Sequence, residues 1–331
     1  MKRQRQALQS AAAGAMRDFL NYHRALGKRF DTEEWALGLF DRYLIAQKVL
    51  GLAAITAPVV EKFLSSRPRK AARSYNELLG VLRRWFNWLV VQERLGQSPL
   101  HLDPRRHTGV RPPFLFEQDQ ARRLFAFTAQ LPDNSQADQR GLIYSMIFVL
   151  CYGLGLRVSE STKLRLQDID WDRCVLTIHE TKFAKSRLVP FGPKLAARLK
   201  DFIQQREAHA GRLAPDQPLF CFGRDKSRSV SPHTASRTFH EVWPKLGLNV
   251  PPGVAAPRLH CLRHSFAVGT LLRWYRQGIV PQDRLLHLST FMGHSQPSST
   301  AVYLTITGDL LNEANQRFER FAAPLLKEVT P

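Results

Sequence analysis

The amino-acid sequence predicts a mainly α-helical protein of the α+β class, with one small antiparallel sheet and two domains. Apolar residues recur at helical spacing along most of the chain. Two short runs, residues 174–179 and 187–191, instead resemble strands and are joined by a turn. Residues 104–113 have no apolar periodicity and carry three prolines and three arginines, which indicates a linker between domains. The predicted domains are therefore residues 1–103 and 114–331.

The first domain is predicted to be a small bundle of four helices. Ser74 and Glu77 form an S-x-x-E capping box, and the apolar residues that follow repeat at helical spacing until Gly96. Arg83 and Arg84 form a basic edge on that helix. The three earlier helices are placed at residues 7–26, 35–49 and 57–66.

The second domain is predicted to be mostly helical around the two strands. Its most apolar segment, residues 141–156, has 16 residues, fewer than the roughly 20 that span a bilayer. We interpret it as a buried helix and expect no membrane association. Its helices are placed at residues 117–130, 137–152, 193–209, 232–246, 261–276, 281–292 and 309–322.

Charge gives the first indication of a partner. The chain has 331 residues, 44% of them apolar, so global disorder is excluded. Lys and Arg number 48 against 28 Asp and Glu, which gives a net charge of +20. The surplus is +11 in residues 1–113 and +9 in the remainder, so it is not confined to a tail. Such a charge favours nucleic acid as a partner, with a membrane surface or an acidic protein as alternatives.

The four cysteines indicate free thiols in a reducing cytoplasm. Cys151, Cys174, Cys221 and Cys261 lie far apart and form no C-x-x-C pair, which argues against a zinc framework or a disulfide scaffold. The first 19 residues resemble a signal peptide, but polar residues interrupt them before an apolar run forms. We therefore expect a cytoplasmic protein.

Two segments of the second domain place charged residues next to apolar elements. Arg157 follows the buried helix directly, and Glu160 comes three residues later, where its carboxylate would orient the guanidinium. A structural ion pair is the alternative. Lys182 and Lys185 lie on the predicted hairpin turn, where a lysine can donate a proton or a charge. Lysines are also common on solvated hairpins.

Two later segments contain histidines. His260, Arg263 and His264 share the start of one predicted helix, and a metal site there is an alternative that lacks an adjoining glutamate and an acidic cluster. His294 lies on a glycine turn, nine residues before Tyr303. A tyrosine between apolar neighbours is usually a core residue, so its role depends on the residues around it.

Together these segments supply what metal-free phosphoryl transfer requires. A tyrosine hydroxyl can form a covalent phosphotyrosine. Arginines and histidines can donate hydrogen bonds to the nonbridging oxygens in place of metal ions. A lysine with a lowered pKa can protonate the leaving 5′ oxygen. No cofactor or metal is expected.

The four segments, in this order, resemble the tyrosine recombinase or phage integrase family. The motifs are G-L-R-V-S-E at residues 155–160, K-x-x-K-x-R-L-V-P at 182–190, H-C-L-R-H at 260–264, and G-H at 293–294 with the tyrosine nine residues after its histidine. The resemblance covers residues 114–325 closely. It implies a two-domain clamp, in which a helical DNA-binding bundle precedes the catalytic domain.

The resemblance also implies roles for individual residues. Tyr303 is similar to the nucleophile, Lys182 to the general acid, and Glu160 to the acidic residue that supports the first arginine. His264 is expected to be a structural helix residue. The residues similar to phosphate ligands are Arg157, His260, Arg263 and His294.

The same resemblance implies the partners and the reaction. We expect double-stranded DNA with paired recombination sites, a monomer free in solution that forms a homotetramer in the synapse, and strand exchange through a Holliday junction. An accessory recombinase or a DNA-bending protein is a further partner to consider. The protein is expected at the nucleoid in the cytoplasm, and we expect it to serve a mobile element.

The sequence departs from the family pattern in three respects, one of which is that the first domain carries no motif of a particular subfamily. The hairpin turn lacks the usual glycines, so Lys185 stays a substitute for Lys182. The segment between Arg263 and His294 is longer than in compact Xer-like members, with Trp274, Tyr275 and Pro281 in or near the excess.

Two other functions stay open on the sequence alone: a noncatalytic DNA-binding relative and a type IB topoisomerase. Integration, excision and resolution are equally undetermined, as are the target sequence and the element served. Candidate DNA-contact residues are Arg83, Arg84, Arg105, Arg106, Arg111 and Lys185.

Overall fold

The computed structural model describes most of the chain and divides it into two compact units. One unit comprises Met1–Val110 and the other Arg111–Pro331, and each is described by itself. The described residues are 7–69, 71–106, 111–179, 186–222, 229–294, 296–305, 312–313 and 315–316.

The first unit is a four-helix bundle, as predicted. Its core consists of large apolar side chains at helical spacing, among them Phe19, Phe40, Phe63 and Trp85, all fully buried. The helices are α1 (Ala13–Ala25), α2 (Asp31–Ala46), α3 (Ala57–Ser65) and α4 (Ala72–Val91).

Three helix starts differ from the prediction, among them that of α2, which begins at Asp31 and not at residue 35. The capping box at Ser74 and Glu77 is wrong, because α4 already begins at Ala72 and Glu77 pairs with Arg73 on the helix surface. Burial of Tyr75 against the core of the bundle favours this earlier start.

The first helix begins later than predicted. The buried Asp41 carboxylate accepts hydrogen bonds from the backbone N–H groups of Gln9 and Ser10. Those bonds hold this stretch outside a helix, and α1 starts only at Ala13.

The second unit packs its helices around α6 (Arg140–Gly153) and contains one small sheet. The strands β2 (Val175–Ile178) and β3 (Arg187–Pro190) form the predicted antiparallel pair, with Ile178 opposite Arg187. A third strand, β1 (Ile169–Asp170), pairs with the other edge of β2. It was not predicted because two residues are too few to show the alternation of apolar and polar side chains that indicates a strand. The sheet is thus three-stranded, and β3 carries Arg187 towards the site.

Helix bounds in the second unit follow the prediction closely. The central helix α6 is buried almost all round, as its apolar sequence indicated. The segment of extra length forms the last turns of α10 and the turn to α11, and Trp274 and Tyr275 pack on the same cluster as Tyr303. The helices are α5 (Gln118–Ala129), α6 (Arg140–Gly153), α7 (Val158–Ser161), α8 (Pro193–Ala210), α9 (Pro232–Val242), α10 (His260–Arg276), α11 (Pro281–Met292) and α12 (Ser298–Ala301). The helix expected at 309–322 falls largely outside the described residues.

Three further features bear on the sequence predictions. Within the described ranges, no helix is both long and apolar enough to cross a membrane. The same part of the chain contains no group of three or more His, Cys, Asp or Glu side chains arranged to hold a metal. All four cysteines are free, and only Cys174 is not fully buried.

Candidate active site

The site is built around the carboxylate of Glu160, on the single turn α7. Its two oxygens accept hydrogen bonds from the Arg157 guanidinium at 2.6 Å and from both terminal nitrogens of Arg187 at 2.9 Å. The Arg157 backbone N–H donates to it as well, at 2.9 Å. Burial by itself would raise the pKa of Glu160, but the hydrogen bonds and charge of Arg187, and then those of Arg157, lower it to about 2. Glu160 is therefore a fixed anion that orients two cations.

Three arginines converge on the C-terminal end of α11. The last carbonyls of a helix lack partners within it and carry the negative end of its dipole, so cations are favoured there. Each arginine comes from a different part of the chain, and each binds one of three successive carbonyls. The pairs are Arg187 Nε to Phe291 O at 2.9 Å, Arg263 Nη2 to Met292 O at 2.7 Å, and Arg157 Nη2 to Gly293 O at 2.7 Å.

Two glycines make this convergence sterically feasible. Gly293 ends α11 with φ +68, and a Cβ there would lie 2.7 Å from Nη1 of Arg187. Gly155 has φ +60, and a Cβ on it would collide with the ring of Phe266. Both positions therefore need a residue without a side chain.

Helix α10 contributes three polar residues on one face. His260, Arg263 and His264 are spaced i, i+3 and i+4, so their side chains lie side by side. Arg263 is only 1% exposed, and its other terminal nitrogen donates to the carbonyl of Gly155. The two histidine rings meet edge to face, with centroids 4.7 Å apart.

The arginines keep the neighbouring histidines neutral. Burial and then the charge of Arg263 lower the pKa of His294 to about 4. His260 reaches the surface, yet the protein around its ring and the charge of Arg263 lower its pKa to about 4 as well. Burial, followed by Arg157, lowers the pKa of Arg263 to about 10, which leaves it cationic at neutral pH.

The arrangement carries an excess of positive charge. Three arginines face the one carboxylate of Glu160 in this cluster, and in the described structure Arg157 and Arg263 each use two of their five N–H donors on protein acceptors. The remaining donors, together with the neutral ring N–H groups of two histidines, suit a bound oxyanion such as a phosphate.

Tyr303 lies beside this cationic cluster. It follows α12 on a short 3-10 turn (Val302–Thr305), is 3% exposed, and packs among apolar residues of α10 and α11. Its hydroxyl is 2.8 Å from Nδ1 of His264. Burial raises the pKa of Tyr303, and the charges of Arg263 and Arg157 oppose that rise. The hydroxyl is thus protonated at rest and lies in the field of two cations.

His294 is held in place by the segment that leads to Tyr303. Its Nδ1 lies 2.6 Å from the hydroxyl of Thr300, which is fully buried three residues before the tyrosine. The rings of His294 and Tyr303 are nearly parallel, with centroids 6.4 Å apart. Thr300 thereby links the position of the histidine to that of the tyrosine.

Comparison with known proteins identifies the family. Residues 115–308 match the model of the phage integrase family. The chain belongs to the phage integrase family. The predicted enzyme class, a tyrosine recombinase that cleaves and rejoins DNA, is confirmed at this level. A relative from Sinorhizobium fredii, y4rB, is named as an integrase/recombinase and is 32% identical over 309 residues, which cover 92% of this chain and 96% of the relative. The tyrosine recombinase XerA of Pyrococcus furiosus is 33% identical over 174 residues, covering 52% of this chain and 53% of XerA.

Solved structures confirm the fold of this family member. The Tn1549 transposon integrase, solved with a circular intermediate DNA, aligns with a TM-score of 0.66 at 15% identity, covering 94% of this chain and all of that one. XerH, solved with its difH substrate after cleavage, aligns with a TM-score of 0.62 at 18% identity, covering 94% of this chain and 85% of XerH. The mainly helical fold with a small antiparallel sheet is therefore that of a tyrosine recombinase.

Six of the predicted catalytic residues lie together, and one cannot be placed. Lys182 and its substitute Lys185 fall outside the described residues. The residues that form the cluster are Arg157, Glu160, His260, Arg263, His294 and Tyr303.

The candidate DNA-contact arginines of the first unit have different surroundings. Arg83 donates to the carbonyl of Leu102, and Arg84 pairs with Glu33 at 2.8 Å. Arg105 stacks 3.9 Å from the ring centroid of Tyr75 and donates to a backbone carbonyl. Arg106, and Arg111 of the second unit, are exposed.

Sequence reasoning missed Arg187 and assigned no site role to Thr300. Arg187 stands in the K-x-x-K-x-R run, and its position at the start of a predicted strand was a usable signal, because a cation that becomes covered there needs a carboxylate partner. His264 was expected to be purely structural. Its contact with Tyr303 depends on how two helices meet, which no spacing along the chain reveals.

Proposed function

We propose that this protein is a site-specific DNA recombinase that cleaves and rejoins DNA through a 3′-phosphotyrosine. The observation that carries the proposal is the placement of the buried Tyr303 hydroxyl beside a cluster of three arginines balanced by one carboxylate. Attack on a phosphodiester requires a nucleophile next to cationic groups that can donate hydrogen bonds to the phosphate oxygens.

In the proposed cleavage step, the Tyr303 hydroxyl loses its proton to water, its oxygen bonds to phosphorus, and the bond from phosphorus to the 5′ oxygen breaks. Arg157 and Arg263 donate to the nonbridging oxygens, as do His260 and His294 in their neutral forms. Lys182 gives the 5′ oxygen its proton, by the role that its motif implies. The 5′ hydroxyl of another strand reverses the step, which restores the tyrosine and rejoins the DNA.

We further propose a separate role for each part of the chain. Residues 1–103 bind the DNA core site, 104–113 serve as a basic linker, and 114–331 carry out the chemistry. The net charge of +20 supports DNA as the substrate of the whole chain. Monomers free in solution assemble as a tetramer on two paired sites at the nucleoid, exchange strands through a Holliday junction, and serve a mobile element. The names of y4rB and the Tn1549 integrase support that last role.

Nicked suicide substrates test the proposal. The purified protein is incubated with nicked DNA fragments from around its own gene, and denaturant-resistant protein–DNA complexes are counted, with Tyr303→Phe as the control. We expect a covalent complex with the wild type and none with the variant. Strong binding without any covalent complex on any fragment would favour the noncatalytic DNA-binding relative. Relaxation of supercoiled plasmid that needs no paired sites would favour the type IB topoisomerase.

A further inference from the structure

The residue that touches the Tyr303 hydroxyl is one to which the family motif assigned no chemistry. Nδ1 of His264 lies 2.8 Å from the phenolic oxygen, and the two rings are tilted by 58° with centroids 5.5 Å apart. His264 immediately follows Arg263 on α10 and lies one turn after His260. An oxyanion bound by Arg263 and His260 would therefore lie next to the atom that His264 holds.

The surroundings of His264 fix both its ring and its protonation state. Its ring packs edge to face on His260 on one side and against Tyr303 on the other. Burial, followed by electrostatic interaction with His260, Arg263 and Arg258, lowers its pKa to about 3. A neutral imidazole with Nδ1 unprotonated is an acceptor, and the Tyr303 hydroxyl, itself protonated at rest, is the donor.

We propose, on the basis of the proposed recombinase function, that His264 is a further active-site residue whose Nδ1 orients the nucleophile. By accepting the hydrogen bond of the Tyr303 hydroxyl, it turns the proton towards α10 and leaves the oxygen lone pairs free to approach phosphorus. A phenolic hydroxyl without this partner can take either of its two orientations in the ring plane, so the reactive orientation is populated less often. His264 thus acts on the nucleophile and not on the leaving group.

This separation can be measured with a sulfur-substituted substrate. A 5′-bridging phosphorothiolate has a leaving thiolate that needs no proton, so it relieves the loss of a general acid such as Lys182. It does nothing for a nucleophile that is badly oriented. The defect of a His264 variant should therefore persist on this substrate, whereas the defect of Lys182→Ala should shrink.

Three substitutions separate the hydrogen bond from packing. Asparagine places its amide oxygen as many bonds from the backbone as Nδ1, glutamine places it one bond farther, and leucine has no acceptor. In single-turnover cleavage of a nicked substrate, we expect His264→Leu and His264→Gln to be slower by about 10- to 100-fold, and His264→Asn to stay within about 5-fold of the wild type. The matched control is His287→Leu, an exposed histidine on α11, which should cleave at the wild-type rate. DNA affinity should stay within about 3-fold throughout, since the hydroxyl adds little to ground-state binding.

Several outcomes would overturn the inference. One is a wild-type cleavage rate in His264→Leu, and another is an equal loss of rate in the asparagine and glutamine variants. A third is that the phosphorothiolate substrate restores the cleavage rate of His264→Leu as fully as it restores that of Lys182→Ala. If the leucine variant does not fold, the order of asparagine over glutamine decides by itself. Covalent adducts of the wild type sustain the proposed function whichever way the variants behave, and their absence would overturn both.

Discussion

Glu160 and Arg187 form a bidentate ion pair, in which each terminal nitrogen of the arginine lies 2.9 Å from one carboxylate oxygen. The pair connects β3 to α7, and the same arginine reaches the end of α11 through the Phe291 carbonyl. Three segments that are remote in sequence are thereby held at one carboxylate. The orientation of Arg157 depends on this pair because it shares the Glu160 carboxylate.

We predict that Arg187→Lys slows DNA cleavage about tenfold or more while leaving DNA affinity within a few fold. A lysine offers a point charge and cannot make the two parallel hydrogen bonds, so Glu160 and Arg157 lose their fixed orientation. Single-turnover cleavage and equilibrium binding measure the two effects. The control is Arg173→Lys, an arginine 82% exposed in its side chain near the start of β2, for which no change is expected. An unaffected cleavage rate in Arg187→Lys would show that the pair does not position the site.

The second prediction concerns Gly293→Ala. The left-handed backbone costs a non-glycine residue about 1–2 kcal/mol, and the new methyl group would also displace Arg187, since its Cβ would lie 2.7 Å from Nη1. We expect a lower free energy of unfolding in urea and a loss of cleavage. Gly278→Ala is the matched control, because Gly278 also has a positive φ (+74) but its Cβ would meet no atom within 4 Å. It should lose stability and keep cleavage; equal loss of cleavage in both variants would contradict the steric argument.

Stability should fall as the pH is lowered. The pKa values of His264 and His294 are lowered in the folded protein to about 3 and about 4, below the usual 6.5, so the unfolded chain binds protons first. Their contribution is complete above pH 6.5 and is lost as the pH falls towards 4. Glu160, with its pKa lowered from 4.5 to about 2, adds a loss below pH 4.5. Urea unfolding at pH 7, 6 and 5 should show a steady decrease. A stability that is constant or rises on acidification would contradict the neutral histidines.

Two neighbouring arginines of the first unit should behave differently in DNA binding. Arg106 is exposed, and Arg106→Ala should reduce the slope of log affinity against log salt by about one if it neutralises a phosphate. Arg105 stacks on Tyr75, and Arg105→Ala should instead lower the free energy of unfolding by about 0.5–1 kcal/mol. Salt titrations and urea unfolding of both variants test this. An unchanged slope in Arg106→Ala would remove that residue from the DNA interface.

The sequence predicted the parts of this protein that depend on local patterns. Helix α11 begins and ends where Pro281 and the glycine after Met292 indicated, because proline fixes the first turn and glycine the left-handed end. The Arg157–Glu160 pair was predictable from its spacing, although Arg157 lies at the N-cap of α7 and not on one helix face with Glu160 as expected, and the Glu160 side chain also accepts from its backbone N–H.

What the sequence could not predict depends on contacts between distant segments. Arg187 enters the site because β3 passes the end of α11, and β1 exists only because it pairs with β2. The late start of α1 follows from the Asp41 carboxylate, 31 and 32 residues away from its partners. Such features are settled by tertiary packing, which overrides local propensity.

The most direct test of the central claim is to identify the amino acid that is joined to DNA. The covalent complex formed on a suicide substrate is digested with protease and nuclease, and the modified peptide is located by mass spectrometry. The chain has seven tyrosines, and we predict that the nucleotide mass is found on Tyr303 alone. A nucleotide on any other residue would contradict the assignment of Tyr303 as the nucleophile.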